Sequence, residues 1–231
     1  MELTNEQRTL EWYKARLGFF TGSKVGALMG LPKAKSEVFT ETAKAYIYQV
    51  AAQRLLNDSV LNDEETFQNY LNLHNTYDTK PIKWGKEQET NAKVLFQNLF
   101  PNIALTETGF VQHEDIEYFG ASPDGLLYDY ENKELGILEI KCPLSNTYIK
   151  YIANIDNNDL ATSLKKLNSD YYWQLIAEMA VTNTEFAMFM LYCPWLKTPF
   201  KIYKLRRNED VTDCLTERVL LANDYIKTIT F

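Results

Sequence analysis

The stretch SPDGLLYDYENKELGILEIKCP, Ser122 to Pro143, decides how the chain is read. An apolar run ending in Ser122-Pro123-Asp124-Gly125, a polar turn from Tyr128 to Gly136 and a second apolar run carrying Glu139 and Lys141 have the pattern of a two-stranded hairpin. Side chains alternate faces along a strand, so Glu139 and Lys141 point one way while Leu138 and Ile140 point into a core. With Asp124 in the preceding turn, two carboxylates and one ammonium can converge. A pair of acids beside a hairpin suits a hard cation such as magnesium, which takes oxygen ligands and keeps several of its waters. The lysine can then orient one of those waters or help to deprotonate it. Pro-Asp-Gly alone is a common turn, and a generic Glu-x-Lys is usually a solvated surface pair that contributes little. The setting distinguishes this one: charges embedded in an otherwise apolar strand are rarely kept there without a use.

Length and composition set the frame. The 231 residues are expected to form a single domain, residues 1–231, with a sizeable core. No apolar run reaches the length needed to span a bilayer, and the start, Met1-Glu2-Leu3-Thr4-Asn5-Glu6-Gln7, is unlike a signal peptide, so a cytoplasmic protein with no membrane partner is expected. Cys142, Cys193 and Cys214 are scattered and lack the spacing of a zinc or iron-sulfur site, and two histidines, His74 and His113, do not make a histidine-built metal centre. A net charge of −7 disfavours phosphate binding at first sight, but the charge is segregated. Glu107 to Glu134 holds eight acids against Lys133 alone, whereas Trp195 to Arg207 holds Lys197, Lys201, Lys204, Arg206 and Arg207 and no acid. That distribution permits a basic lane for DNA.

The rest of the chain supplies scaffold and grip. Thr21 or Ser23 can cap a helix beginning near Lys24, and its free amides, a hydroxyl and Arg16 would make an anion site; a plain capped helix with Arg16 on the surface is the alternative. Ala43, Ile47, Val50, Ala51 and Leu55 predict a helix over Thr40–Leu56. The acidic stretch Asn57–Thr79 reads as a connecting excursion with a short helix around Phe67–Leu73. A helix opens at Trp84-Gly85-Lys86 and runs to Phe100, where Glu89 is either an exposed first-turn acid or a metal ligand. A strand is expected over Thr106–Val111, helices over Ser145–Tyr151, Leu160–Leu167 and Tyr171–Val181, strands over Phe186–Cys193 and Phe200–Leu205, and a closing helix marked by Val211, Leu215, Val219, Ala222 and Ile226. Elements mixed in this order predict an α/β or α+β fold around a mixed sheet.

In order and spacing, Asp124, Glu139 and Lys141 resemble the PD-(D/E)xK nuclease core, a restriction-endonuclease-like sheet flanked by helices. Five blocks widen the likeness: Trp12…Arg16-Leu17-Gly18…Thr21-Gly22-Ser23, Trp84-Gly85-Lys86…Glu89, Ser122-Pro123-Asp124-Gly125, Glu139-Ile140-Lys141-Cys142-Pro143 and Tyr171…Gln174. Collinear over most of the chain, they resemble the YqaJ-like viral recombinases, the exonuclease family typified by that of phage lambda. Asn57–Asp78 and the hairpin turn have no clear counterpart there.

The resemblance implies a phage- or prophage-encoded, Mg2+-dependent exonuclease (Mn2+ substituting) that degrades one strand of duplex DNA from its 5′ end. The 3′ overhang would pass to a single-strand annealing partner, and a homotrimer would encircle the DNA. It implies that Asp124 and Glu139 hold the metal with the Ile140 carbonyl and Glu89, that Lys141 positions the attacking water, that Gln174 is an accessory active-site residue, and that Arg16 and Ser23 form a 5′-phosphate pocket. A restriction or repair endonuclease on the same core, and a non-catalytic DNA-binding protein keeping the scaffold, are the alternatives.

Overall fold

The Ser122–Pro143 stretch does fold as a hairpin, with a shorter turn than the sequence suggests. The computed structural model describes residues 6–74 and 80–229. In chain order these form α1 (Leu10–Ala15), β1 (Phe20–Thr21), a 3-10 helix (Val25–Met29), α2 (Glu41–Arg54), α3 (Asp58–Asn62), α4 (Glu64–His74), α5 (Lys80–Leu99), β2 (Ile103–Thr106), β3 (Val111–Gln112), β4 (Phe119–Ala121), β5 (Gly125–Asp129), β6 (Glu134–Lys141), α6 (Ser145–Asn154), α7 (Leu160–Leu167), α8 (Ser169–Thr182), β7 (Phe186–Tyr192), β8 (Phe200–Arg206) and α9 (Glu209–Thr228). The hairpin is β5–β6, antiparallel, with Gly125 opposite Leu138 and Asp129 opposite Glu134. Four residues, 130–133, connect them. Asp129 tightens the turn by accepting from the Glu131 and Asn132 amides, and Lys133 takes a φ of 57°. Ser-Pro-Asp-Gly precedes the first strand rather than ending it.

The main sheet has the order β2-β5-β6-β7-β8, and β6 and β7 are its parallel pair. Such a central pair must bury both faces. Ile137, Phe189 and Leu191 face one apolar cluster, built with α8 and its helical neighbours; Leu138, Ile140, Met188 and Met190 face a second, closed by Ala92 and Phe96 of α5. The face of β6 carrying Ile137 and Glu139 is therefore buried, as is the face carrying Leu138 and Ile140, with Lys141 partly exposed at the strand's end. Gly136 pairs with Phe186, whose ring would lie 2.5 Å from any Cβ placed there, so the ring packs on bare backbone.

A three-stranded sheet, β1-β4-β3, lies beside the first. It interrupts the strand expected over Thr106–Val111: β2 ends at Thr106 in the large sheet and the chain resumes as β3 in the small one. Near Lys24 the expected capped α-helix is a five-residue 3-10 helix whose N-cap is Lys24, with no side-chain cap; Thr21 lies in β1 instead. The acidic excursion contains α3 and α4, the latter enclosing the expected Phe67–Leu73 helix, and 75–79 lie outside the described residues. Among the described residues, no helix is long and apolar enough to cross a membrane.

Candidate active site

Asp124 occupies the residue before β5 begins. The ladder pairs Gly125 with Leu138 and goes no further, so Ile140 would present an unpaired amide to that edge. The Asp124 carboxylate takes its place: Oδ2 accepts from the Ile140 amide at 2.7 Å. A Cβ at Gly125 would meet Leu105 Cδ1 at 2.2 Å, so that leucine packs over bare backbone here. Two further contacts brace the turn. Gln7 Nε2 donates to the Pro123 carbonyl at 2.9 Å, and Trp12 Nε1 donates to Ser122 Oγ at 3.0 Å.

Glu139 and Lys141 share one face of β6, as their spacing predicts, and their side chains meet at 2.6 Å. Gln174 of α8 joins them: its Oε1 accepts from Lys141 Nζ at 3.0 Å, while its Nε2 donates to Glu139 Oε1 at 2.7 Å and to Glu178 Oε1 at 2.8 Å. Both amide protons and the carbonyl are thereby assigned, which locks the Glu139–Lys141 pair. Lys141 also lies 4.6 Å from the centroid of the Tyr171 ring. Burial opposes its charge, but Glu139, Tyr171 and Asp124 outweigh that and raise its pKa above the ordinary lysine value. An ammonium so held is suited to orienting a water and offsetting negative charge, and ill suited to taking a proton.

The acids crowd one another. Burial first, then the charges of Glu139 and Glu89, push Asp124 well above the usual carboxylate range. Burial and Glu139 do the same to Glu178, which is 1% exposed and whose Oε2 has no hydrogen-bond partner. A buried carboxylate oxygen without a partner costs roughly 1–3 kcal/mol or more, so the site favours the protonated form of Glu178. Cys142 feels the same field: burial, then Asp124 and Glu89, push its thiol up to about 12, which removes it as a nucleophile.

Glu178, whose one-turn spacing from Gln174 is visible in the sequence, is given no role by the resemblance. Helix α8 is buried continuously from Tyr172 to Val181, so no polar stripe singles it out. The sign of its linkage can be measured. Asp124 and Glu178 bind protons more tightly folded than unfolded, so metal-free protein should lose stability as pH rises from the ordinary carboxylate range toward their raised values. Glu178→Gln should flatten that fall, each kcal/mol relieved raising the melting midpoint by about 2–4 °C at alkaline pH. Melting curves in chelator that keep the same gap between parent and variant at every pH would overturn this.

Glu89 is not a first-turn acid, since α5 begins at Lys80. Its carboxylate pairs with Arg8 and, at 3.3 Å, with Lys93, while its charge still reaches Asp124. Ile140 enters through its amide. Among the described residues no three Asp, Glu, His or Cys side chains form a ready ligand cluster. The donor set nevertheless fits magnesium, which binds through one or two carboxylates and retains water: Asp124 and Glu139 are buried, oxygen-bearing and mutually repelled until a cation joins them.

A cleft of about 260 Å3, joined to the acids through the Arg8–Glu89 pair and the Trp12–Ser122 hydrogen bond, has walls that include Arg8, Arg16, Ser23, Lys24, Gln49 and Lys86. Arg16 and Ser23 meet there as expected, without an α-helix terminus. The Arg16 guanidinium lies 4.1 Å from the centroid of the Trp12 ring, the same indole that holds Ser122. Burial and the nearby Arg16 charge lower the pKa of Lys24, the mirror image of the acid cluster. Tyr70 and His74 of α4 also line the cleft, so the acidic excursion forms one of its walls. The basic lane is shorter than the sequence suggests: Glu134 pairs with Lys204 and Arg206, and Glu209 with Arg207.

A mixed sheet whose adjacent strands bring an Asp and a Glu-x-Lys to one end has the arrangement that the resemblance to a PD-(D/E)xK core implies. Residues 11–185 match the family model of the YqaJ-like viral recombinase domain, and the chain belongs to that family. Among solved structures, it is similar to an alkaline exonuclease (LHK-Exo) from Laribacter hongkongensis, with a TM-score of 0.70 and 24% identity over 95% of this chain and 93% of that one. The same protein in complex with dAMP matches equally. A phage related exonuclease from Haemophilus somnus 129PT aligns with a TM-score of 0.62 and 18% identity, over 90% of this chain and 93% of that one. No curated protein sequence matches the chain.

Proposed function

We propose that this protein is a Mg2+-dependent deoxyribonuclease that degrades one strand of linear duplex DNA from its 5′ end, leaving a 3′ overhang for a single-strand annealing partner. One observation carries the reading: Gln174 bridges Glu139 and Lys141 in one hydrogen-bonded network, and Asp124, held by the Ile140 amide between them, adds a second buried carboxylate beside it. Family membership and the exonuclease descriptions of the structural neighbours, one with dAMP bound, support it. A closed homotrimer would suit a chain of net charge −7, since a ring retains DNA that an open acidic monomer would release.

Asp124 and Glu139 would hold magnesium, with the Ile140 carbonyl and Glu89 as further candidates. The metal, when bound, polarises the scissile phosphate and lowers the pKa of a water. Lys141, kept charged, orients the attacking water and offsets charge developing on the phosphate. Gln174 fixes the angle between Glu139 and Lys141. Arg16, Ser23 and Lys24 would take the terminal phosphate.

The test is digestion of linear duplex labelled at either end. Magnesium-dependent release of 5′-terminal label first, with closed circles untouched, is expected. Cutting of closed circles would favour an endonuclease on the same core, and no cutting under any divalent cation would favour a DNA-binding protein that keeps the scaffold.

A further inference from the structure

We infer that Trp195, backed by Trp84, is a stacking shelf for unpaired bases of the DNA at the mouth of the active site. The inference rests on the nuclease reading and adds a nucleobase subsite to it.

The placement follows from the sheet. β6 and β7 run parallel with Lys141 opposite Leu191, so both chains leave the sheet at the same end. After β7 the chain forms a short closed loop: the Cys193 amide donates to the Pro199 carbonyl at 2.7 Å, and the Leu196 amide to the Cys193 carbonyl at 3.2 Å. Leu196 packs against the core while its neighbour Trp195 stays 66% exposed. A core-filling indole does not remain two-thirds in water on a loop this firmly tied.

The partner ring comes from α5. Trp84 and Trp195 stack with centroids 4.1 Å apart and planes 35° from parallel. Trp84 adjoins Gly85, where a Cβ would sit 3.9 Å from the Cys142 carbonyl, so the pair stands beside the residue that follows Lys141. The Trp84 indole N–H is buried beneath with no acceptor among the described residues, which favours opening of the pair when a nucleotide offers one.

Charge fits the same occupant. Lys197 is exposed two residues on, and neither it nor Lys201 has an acidic partner among the described residues, unlike Lys204, Arg206 and Arg207. An aromatic face with adjacent lysines is the combination that holds single strands without reading their sequence: bases stack and the backbone meets the cations.

Binding of a labelled oligothymidylate of about twelve nucleotides, within the site sizes usual for single-strand grooves, is measured by anisotropy on the full chain in chelator so that no cutting intervenes. Trp195→Ala should weaken it roughly tenfold and Trp195→Phe far less, since any aromatic face can stack. The oligonucleotide should also quench tryptophan emission in the parent, and Trp195→Phe should lose most of that quenching while still binding. Equal affinity of parent and Trp195→Ala, or quenching unchanged in Trp195→Phe, would overturn the shelf. So would a change of assembly mass in Trp195→Ala with oligonucleotide binding intact, which would make the pair a contact between copies of the chain. The nuclease reading fails separately, if the parent does not cut linear duplex with magnesium.

Discussion

Replacing Glu139 or Asp124 by alanine is expected to lower the rate of metal-dependent cutting roughly a thousandfold or more, with binding of duplex ends retained. Each acid has two tasks. Chemically, it would hold the cation that offsets charge on the scissile phosphate. Structurally, Asp124 replaces the missing ladder partner of Ile140, and Glu139 anchors Gln174 and Lys141. The tasks can be separated. Asp124→Ala leaves the Ile140 amide without its acceptor, at about 1–3 kcal/mol, whereas Asp124→Asn retains an acceptor oxygen and relieves the repulsion that raises the native carboxyl. Asp124→Asn should therefore melt no lower than the parent and still be inactive. Lys141→Ala should lose rate with the magnesium requirement little changed, because the lysine would hold water rather than metal. Single-turnover rates under saturating magnesium decide the matter, and cutting near the parental rate in either Asp124 or Glu139 variant would refute the assignment.

How much of this was legible depended on whether a residue's role was local. The hairpin was readable because period-two alternation and a polar turn are properties of neighbouring residues, and because charges at 139 and 141 stand out in an apolar strand. The helices of the second half were readable for the same reason. What escaped was set by contacts between distant segments or by elements too short to have a period. Strands β1 and β3 span two residues each, so no alternation announces them, and the break between β2 and β3 passed as one strand. Thr21 looked like a cap because its type suits one; pairing of Phe20 and Thr21 with β4 overrides that preference. Glu89 could be read as a first-turn acid, beside its reading as a metal ligand, because the start of α5 was placed too late. Its partner Arg8 lies 81 residues away, as invisible to local pattern as the hold of Gln7 on Pro123.

A 5′-phosphorylated duplex should be degraded roughly tenfold to a hundredfold faster than its 5′-hydroxyl counterpart, and Arg16→Ala should abolish the difference while keeping residual hydrolysis. The pocket no longer draws on helix amides, so the preference must come from side chains. A terminal phosphate carries a second charge that an internal one lacks, and charge-assisted hydrogen bonds are worth about 1.5–3 kcal/mol each. Arg16 and Lys24 would meet that charge on one wall of the cleft, where burial and the Arg16 charge already lower the pKa of Lys24. A dianion relieves both. Arg16 is also coupled to the cutting site, since its guanidinium lies over Trp12 and the Trp12 indole holds Ser122 two residues from Asp124. Loss of Arg16 should thus remove end preference, and loss of the indole hydrogen bond in Trp12→Phe should lower the rate on both ends while the preference survives. Comparison of initial rates on the two substrates with parent, Arg16→Ala and Trp12→Phe tests each link. Equal rates on both ends in the parent, or degradation that begins at the 3′ end, would return Arg16 to an ordinary surface role.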